Sequence, residues 1–123
     1  MTVVVVMIGG AFGALTRYGV GLWLGRRLEL FPLATLTVNV VGALLLSILV
    51  TASERYAGIS PLWRAGVATG YLGALTTFST FEVESAALIR SGNNLGAMLY
   101  VVGNLVLGYG AVLLGRWVVL GRG

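Results

Sequence analysis

The sequence predicts an all-α integral membrane protein with four transmembrane helices that account for nearly the whole chain. The 123-residue chain has a mean hydropathy of +0.96 and 10% charged residues, which is far too apolar for an ordinary soluble domain. A helix needs roughly 20 mostly apolar residues to cross the hydrocarbon core. Stretches of sufficient length run over about 2–25, 31–53, 62–90 and 95–120. We therefore expect residues 1–123 to form a single integral membrane domain.

The first stretch opens with a run of valines and has no positively charged region before it. Thr2 onward is therefore expected to be a first span and not a cleavable signal peptide. Arg17 lies well inside this stretch, and no acidic residue precedes Glu29. Its side chain can snorkel toward an interface, cap carbonyl groups of a neighbouring helix, or draw anions inward.

The second stretch carries Asn39 near its middle, with Thr35 and Thr37 before it and Gly42 after it. A side-chain amide can donate two hydrogen bonds to an anion. Buried Asn in membranes also commonly joins helices to one another. Both interpretations of Asn39 are open at this point.

The third stretch contains a run of threonines, serine and phenylalanines directly after two glycines, over residues 70–81. This hydroxyl-rich, β-branched composition predicts a helix break near the membrane centre, which is tolerated only where protein or a cavity satisfies the backbone. Carbonyl groups at a break can bind a small hard cation, while hydroxyl and N–H groups can serve an anion. The alternative is a continuous helix whose hydroxyls bond back to its own carbonyls.

Aromatic and small residues recur at helical spacing in the last two stretches. Phe78 and Phe81 are three residues apart and should share a face, either as core packing or with their electropositive ring edges toward an anion. Tyr100, Asn104 and Gly108 recur every four residues, which indicates a polar track or a close helix contact. The small-residue pattern of close contacts is repeated at Gly9 with Gly13 and at Gly66 with Gly70.

Several residue types are missing, since the chain has no Cys, His, Asp, Lys or Gln. Thiol chemistry, His-based chemistry and the usual transition-metal ligand sets are excluded, and we do not expect an enzyme. The arginines are scattered singly between apolar stretches and are typical of interfacial anchors in contact with lipid, so no nucleic-acid partner is expected.

The arginines give almost no orientation signal for four spans. One side would carry Arg55, Arg64, Arg116 and Arg122, and the other would carry Arg26, Arg27 and Arg90. Cytoplasmic loops usually hold the excess of positive charge. The balance leaves the orientation unpredictable, or it indicates dual topology, in which the chain inserts both ways and pairs as an antiparallel homodimer.

Three motifs in order along the spans, at residues 9–18, 35–42 and 70–81, resemble those of the small bacterial fluoride channels called Fluc or CrcB. The resemblance extends from end to end of the chain. It implies an antiparallel dual-topology homodimer in the bacterial inner membrane, with two fluoride pathways and a structural sodium ion at the dimer centre. Passive conduction through such a channel lowers cytoplasmic fluoride.

The resemblance also implies roles for individual residues. Gly73 and Thr76 would offer backbone carbonyls to sodium. The pore or fluoride residues would be Asn39, Phe78, Phe81, Glu84, Tyr100 and Asn104. On physical grounds Ser79 and Thr80 suit the pathway as donors, and Arg17 should lie outside its narrowest part, because a fixed positive charge there would hold the anion too firmly. The chain departs from many relatives at Ala74, Asn104 and Gly108.

Two other functions fit a membrane protein of this size. A dual-topology drug/proton antiporter needs a membrane-embedded acid, and here Glu82 and Glu84 lie late in the third stretch. A non-transporting scaffold would use glycine-rich helices only to bind partner membrane proteins.

Overall fold

The computed structural model describes residues 1–25 and 31–121, and within these ranges all regular structure is helical. Helix α1 covers Thr2–Gly25 and α2 covers Leu33–Arg55. Helix α3 runs over residues 61–75, α4 covers Phe78–Arg90, and α5 covers Asn94–Leu120. The all-α prediction is confirmed for the described part of the chain.

Three of these helices, α1, α2 and α5, are long and apolar enough to cross a membrane. Their bounds lie within two residues of the stretches expected from the sequence. The remaining stretch is divided between α3 and α4, neither of which alone reaches the roughly 20 residues that a span requires. A multi-pass membrane protein is therefore supported, and a fourth, interrupted span remains a prediction.

Helix α3 changes its winding twice. It starts as an α-helix at Pro61–Arg64, widens to a π-helix at Ala65–Leu72 and returns to α at Gly73–Leu75. The backbone then becomes extended at Thr76 (φ −83°, ψ 153°) and Thr77 (φ −150°, ψ 120°), and α4 begins at Phe78. The interruption thus falls on the threonines, and Gly73 is still helical, with φ −63° and ψ −34°.

Glycines bring α1 and α3 into backbone contact. A Cβ atom added to Gly9 would meet the carbonyl oxygen of Gly66, and one added to Gly13 would meet the carbonyl oxygen of Tyr71. A Cβ atom on Gly70 would lie 2.7 Å from the carbonyl oxygen of Val6. The close contact predicted from the Gly9 and Gly66 patterns is therefore confirmed.

Helices α2 and α5 also pack closely, and this contact positions the site. A Cβ atom added to Gly115 would lie 2.9 Å from the Leu44 carbonyl oxygen. One helical turn earlier, the Ser47 hydroxyl donates a hydrogen bond of 2.6 Å to the Val112 carbonyl oxygen. Nearer the other end of the pair, Asn39 of α2 meets Asn104 of α5.

Candidate functional site at the helix break

The extended backbone of Thr77 is held by a single side chain of α2. The Thr77 N–H donates to Asn39 Oδ1 at 2.8 Å, and Asn39 Nδ2 donates to the Thr77 carbonyl oxygen at 3.2 Å. Backbone polar groups outside a helix need partners when water is excluded. One amide thus satisfies both polar groups of the residue at which the helix is interrupted.

Two carbonyl groups beside the break lose their usual helical donors. In a continuous α-helix the N–H of residue i bonds to the carbonyl of residue i−4. Here the Thr77 N–H, the normal partner of the Gly73 carbonyl, goes to Asn39. The Thr80 N–H, the normal partner of the Thr76 carbonyl, goes to Thr77 Oγ1 at 3.3 Å. Both residues predicted to bind sodium therefore have carbonyls released from the helix.

These carbonyls form the C-terminal end of α3, where the helix dipole is negative and favours a cation. Oxygen ligands suit hard cations. The described residues contain no group of three or more His, Cys, Asp or Glu side chains that could hold a metal ion. The oxygen atoms at the break are those of main-chain carbonyls and of the Thr76 and Thr77 hydroxyls.

The N-terminal end of α4 has the opposite character. Thr77 is its N-cap, and the Thr77 hydroxyl accepts from the Thr80 N–H and donates to Thr80 Oγ1 at 2.9 Å. The positive end of the α4 dipole lies in the first turn, which contains Phe78, Ser79 and Thr80. The Ser79 side chain is exposed on the chain surface. This end of the break offers donors to an anion.

The two phenylalanine rings are neighbours, as their spacing predicts, but they have different surroundings. Their centroids are 5.7 Å apart. Phe81 is 8% exposed and packs 5.4 Å from the Tyr100 ring, which in turn meets Phe31 edge to face at 5.5 Å. Phe78 is 71% exposed on this chain. The pair therefore runs from the packed interior to the outer face.

A polar network connects the break to α5 and α4. Asn39 Nδ2 also donates to Asn104 Oδ1 at 3.0 Å, and Asn104 Nδ2 donates to the Tyr100 carbonyl oxygen at 3.0 Å. The Tyr100 hydroxyl donates to Glu84 Oε2 at 2.6 Å, and the Thr35 hydroxyl donates to Glu84 Oε1 at 3.1 Å. The structure thus brings together four of the predicted pore residues, with Tyr100 bonded to Asn104 through its main chain and to Glu84 through its hydroxyl.

Asn39 uses its side-chain donors within the chain, because Nδ2 bonds both to Thr77 and to Asn104. Of the two interpretations open from the sequence, the structure shows the interhelical one. Donation by Asn39 to an anion requires one of these bonds to be exchanged. The third member of the expected track, Gly108, has nothing within 4 Å of an added Cβ atom, so the track pattern does not mark a close contact there.

Arg17 lines an open cavity of about 820 Å³. Thr35, Thr77, Thr80 and Glu84 share the lining of this cavity with it. The Arg17 Nε atom is buried and has no hydrogen-bond partner among the described residues. The guanidinium therefore borders the polar network from the α1 side without joining it.

Sequence reasoning did not assign two members of the network, Thr35 and Thr77. Thr35 lies one helical turn before Asn39, so its position on the same face of α2 was a usable signal. The role of Thr77 lies in its main chain and its capping hydroxyl. Its position two residues after Leu75, where α3 ends, could be recognised only once that end was known.

Three long apolar helices, together with an interrupted stretch that carries polar residues, define a multi-pass membrane protein. Residues 4–116 match the family model described as CrcB-like protein, Camphor Resistance (CrcB). The chain belongs to this family, and the resemblance seen in its motifs is confirmed.

Curated relatives cover most of the chain. A protein named fluoride-specific ion channel FluC from Acidobacterium capsulatum is 44% identical over 111 residues, which is 89% of this chain and 89% of the relative. Another of that name from Saccharophagus degradans is 47% identical over 109 residues, or 88% of this chain and 81% of the relative. A third, from Chlorobium chlorochromatii, is 40% identical over 119 residues, or 94% and 92%.

Proposed function

We propose that this chain is a fluoride-specific ion channel. The observation that carries the proposal is the similarity to proteins of that name, 44% and 47% identical over 89% and 88% of the chain. Such relatives are channels and not enzymes, in agreement with the expectation from composition. Their name also favours a channel over the antiporter and the scaffold.

The chemistry of the break supports conduction of a small anion. Fluoride is tightly hydrated, so a pathway must replace water with donors and still bind weakly enough for release. The first turn of α4 offers the Ser79 and Thr80 hydroxyls, and the Phe78 and Phe81 rings lie alongside with electropositive edges. These hydroxyl and ring-edge donors are weak and carry no formal charge.

The polar network extends this pathway toward the cavity. Asn39 and Asn104 are joined, and Tyr100 links them to Glu84. Arg17 borders the cavity and is absent from the network of side chains around the phenylalanines. Its charge would raise the local concentration of anions without holding them in the narrow part.

A second copy of the chain would complete the pathway. Gly73, Ser79 and Phe78 are exposed on the surface of one chain beside the extended backbone. Interrupted backbone at membrane depth must be covered by protein or line a water-filled cavity. An antiparallel, dual-topology homodimer would cover it, and the nearly even distribution of arginines supports insertion in both orientations. Two fluoride pathways would follow from the symmetry.

A structural sodium ion at the dimer centre fits the residues present. The Gly73 and Thr76 carbonyls are released from helical hydrogen bonds, and they lie at the negative end of the α3 dipole. A bound sodium ion would offset the negative ends of carbonyl dipoles brought together from two chains. The chain's own contribution is to hold those carbonyls away from competing N–H groups.

The relatives come from bacteria, and we propose that this channel lies in the bacterial inner membrane, in contact with lipid. It would export fluoride passively and lower the cytoplasmic concentration.

Purified protein in liposomes loaded with potassium fluoride tests this function. We expect valinomycin to trigger rapid fluoride efflux, measured with a fluoride electrode, and no comparable efflux from liposomes loaded with chloride. Exchange of cationic substrate driven by a pH gradient would indicate the antiporter instead. A lack of any flux from a monodisperse preparation would indicate the scaffold.

A further inference from the structure

We infer that Asn39 is a positioning residue that creates the cation site by withholding the Thr77 N–H from the Gly73 carbonyl. The inference rests on the proposed function and deepens it. A side chain on α2 would leave a main-chain oxygen of α3 available to bind sodium. Asn39 itself need not touch the ion.

The geometry supports a competition between Asn39 Oδ1 and the Gly73 carbonyl oxygen for the Thr77 N–H. Gly73 has helical dihedral angles, and the Thr76 N–H still bonds to the Leu72 carbonyl at 3.2 Å, so the helical bonding pattern reaches the edge of the break. The next bond in the series would join the Thr77 N–H to the Gly73 carbonyl. That N–H instead donates to Asn39 Oδ1 at 2.8 Å.

The second bond from Asn39 makes the diversion stable. Nδ2 donates to the Thr77 carbonyl at 3.2 Å, so the Asn39 amide bonds to both main-chain polar groups of Thr77. Thr77 is held in an extended conformation, with φ −150°. The N–H of Thr77 lies in the peptide plane that ψ of Thr76 orients, and that angle is 153°. A helical ψ near −42° at Thr76 would turn the N–H back toward the Gly73 carbonyl and break its bond to Asn39. A carbonyl oxygen that accepts an N–H hydrogen presents less of its lone-pair density to a cation, so release of Gly73 favours cation binding.

Asn104 provides a matched control within the same network. It bonds to Asn39 Nδ2 at 3.0 Å and to the Tyr100 carbonyl at 3.0 Å, and no bond joins it to Thr77. Replacing either amide by Leu preserves approximate volume and removes polar bonds from the same region. Only Asn39→Leu frees the Thr77 N–H to return to Gly73.

The experiment measures thermal unfolding of the purified full-length protein in detergent, titrated with sodium chloride against N-methylglucamine chloride at constant ionic strength. A cation that binds the folded state raises the melting temperature, and the shift grows with the logarithm of cation concentration above the dissociation constant. We expect the parent and Asn104→Leu to show this response. Asn39→Leu should need at least about fivefold more sodium for the same shift, which corresponds to about 1 kcal/mol, the usual free energy of one hydrogen bond.

Asn39→Ser, a smaller change whose hydroxyl is too short to replace the amide, provides the same comparison if Asn39→Leu is not monodisperse. A sodium response in Asn39→Leu or Asn39→Ser equal to that of the parent would overturn the role of Asn39 and leave the sodium site standing. Equal losses in the Asn39 and Asn104 variants would also overturn it, since the effect would then belong to the network as a whole. A parent without any sodium response would refute the proposed sodium site itself, whatever its fluoride flux.

Discussion

Tyr100 donates its hydroxyl hydrogen to Glu84 Oε2 at 2.6 Å from a position where its side chain is 0% exposed. The two residues lie on different helices, α5 and α4, so this bond fixes the helix after the break against the helix that carries Asn104. The Tyr100 ring also packs on Phe81. One residue thus orients both a carboxylate and an aromatic ring of the proposed pathway.

The Tyr100→Phe variant removes this hydrogen bond and keeps the ring. We expect a loss of about 1 to 3 kcal/mol in unfolding free energy, because a Glu84 oxygen loses its donor, together with slower fluoride efflux. Tyr109→Phe is the control, since Tyr109 also lies on α5 and is 67% exposed. Equal melting temperatures and fluxes for the two variants would show that the Glu84 bond contributes nothing.

The ring edges of Phe78 and Phe81 are expected to matter for conduction. Phe81→Ile retains an apolar side chain and removes the aromatic quadrupole, so fluoride flux should fall at least about tenfold, equivalent to roughly 1.4 kcal/mol of added barrier. Phe12→Ile, at a position that is 61% exposed on α1, should conduct at the parent rate. A monodisperse Phe81→Ile protein with parental flux would assign the rings to packing alone.

Sodium binding through the main chain predicts that Thr76→Ser is nearly silent. A serine hydroxyl can make the same 3.1 Å bond to the Leu72 carbonyl that Thr76 makes, and the Thr76 carbonyl is retained. The sodium titration of thermal unfolding should therefore be unchanged within experimental error. A large loss of the sodium response would indicate that the threonine side chain, and not its carbonyl, determines the site.

The backbone contact between α1 and α3 predicts opposite effects at adjacent glycines. Gly9→Ala should destabilise the protein by about 1 to 3 kcal/mol, because the new methyl group would meet the Gly66 carbonyl. Gly10→Ala has nothing within 4 Å and should be neutral or slightly stabilising in a helix. Melting temperatures in detergent distinguish the two, and equal shifts would contradict the contact.

Dual topology predicts that orientation can be fixed by charge. Ala57→Arg with Gly58→Arg adds positive charge to the exposed loop between α2 and α3, and should leave a single orientation that is inactive when expressed alone. The opposite bias comes from Arg55→Ala, Arg64→Ala and Asn94→Arg. Co-expression of the two variants should restore fluoride resistance in a sensitive bacterial strain, whereas full activity of either variant alone would exclude antiparallel pairing.

The positions of the long helices could be predicted from hydropathy, because length and composition suffice to define them. The sequence predicts a start of the second span at residue 31, and α2 begins at Leu33. Pro32 disfavours a helical conformation at the residue before it, Phe31. The break was expected to include Gly73 and falls instead on Thr76 and Thr77. Gly73 remains helical, since a glycine costs a helix only about 1 kcal/mol relative to alanine.

The residues of the candidate site could be predicted from the sequence, but the hydrogen bonds between them could not. Asn39, Glu84, Tyr100 and Asn104 were each recognisable as polar side chains in apolar stretches. Which of them bond to one another depends on which faces of α2, α4 and α5 meet. That information lies in the Gly115 contact and in the rotation of α4 after the break, and neither has a local sequence signature.

The two hydrogen bonds between Asn39 and the main chain of Thr77 determine which substitutions each position tolerates. Asn39 contacts only main-chain atoms of Thr77, so this contact is indifferent to the side chain at position 77. The hydroxyl there is required separately, as the cap that accepts the Thr80 N–H, and serine can replace it. In a library of single substitutions, position 77 should therefore accept the other hydroxyl residue, while position 39 should accept no residue that lacks an amide of the same length.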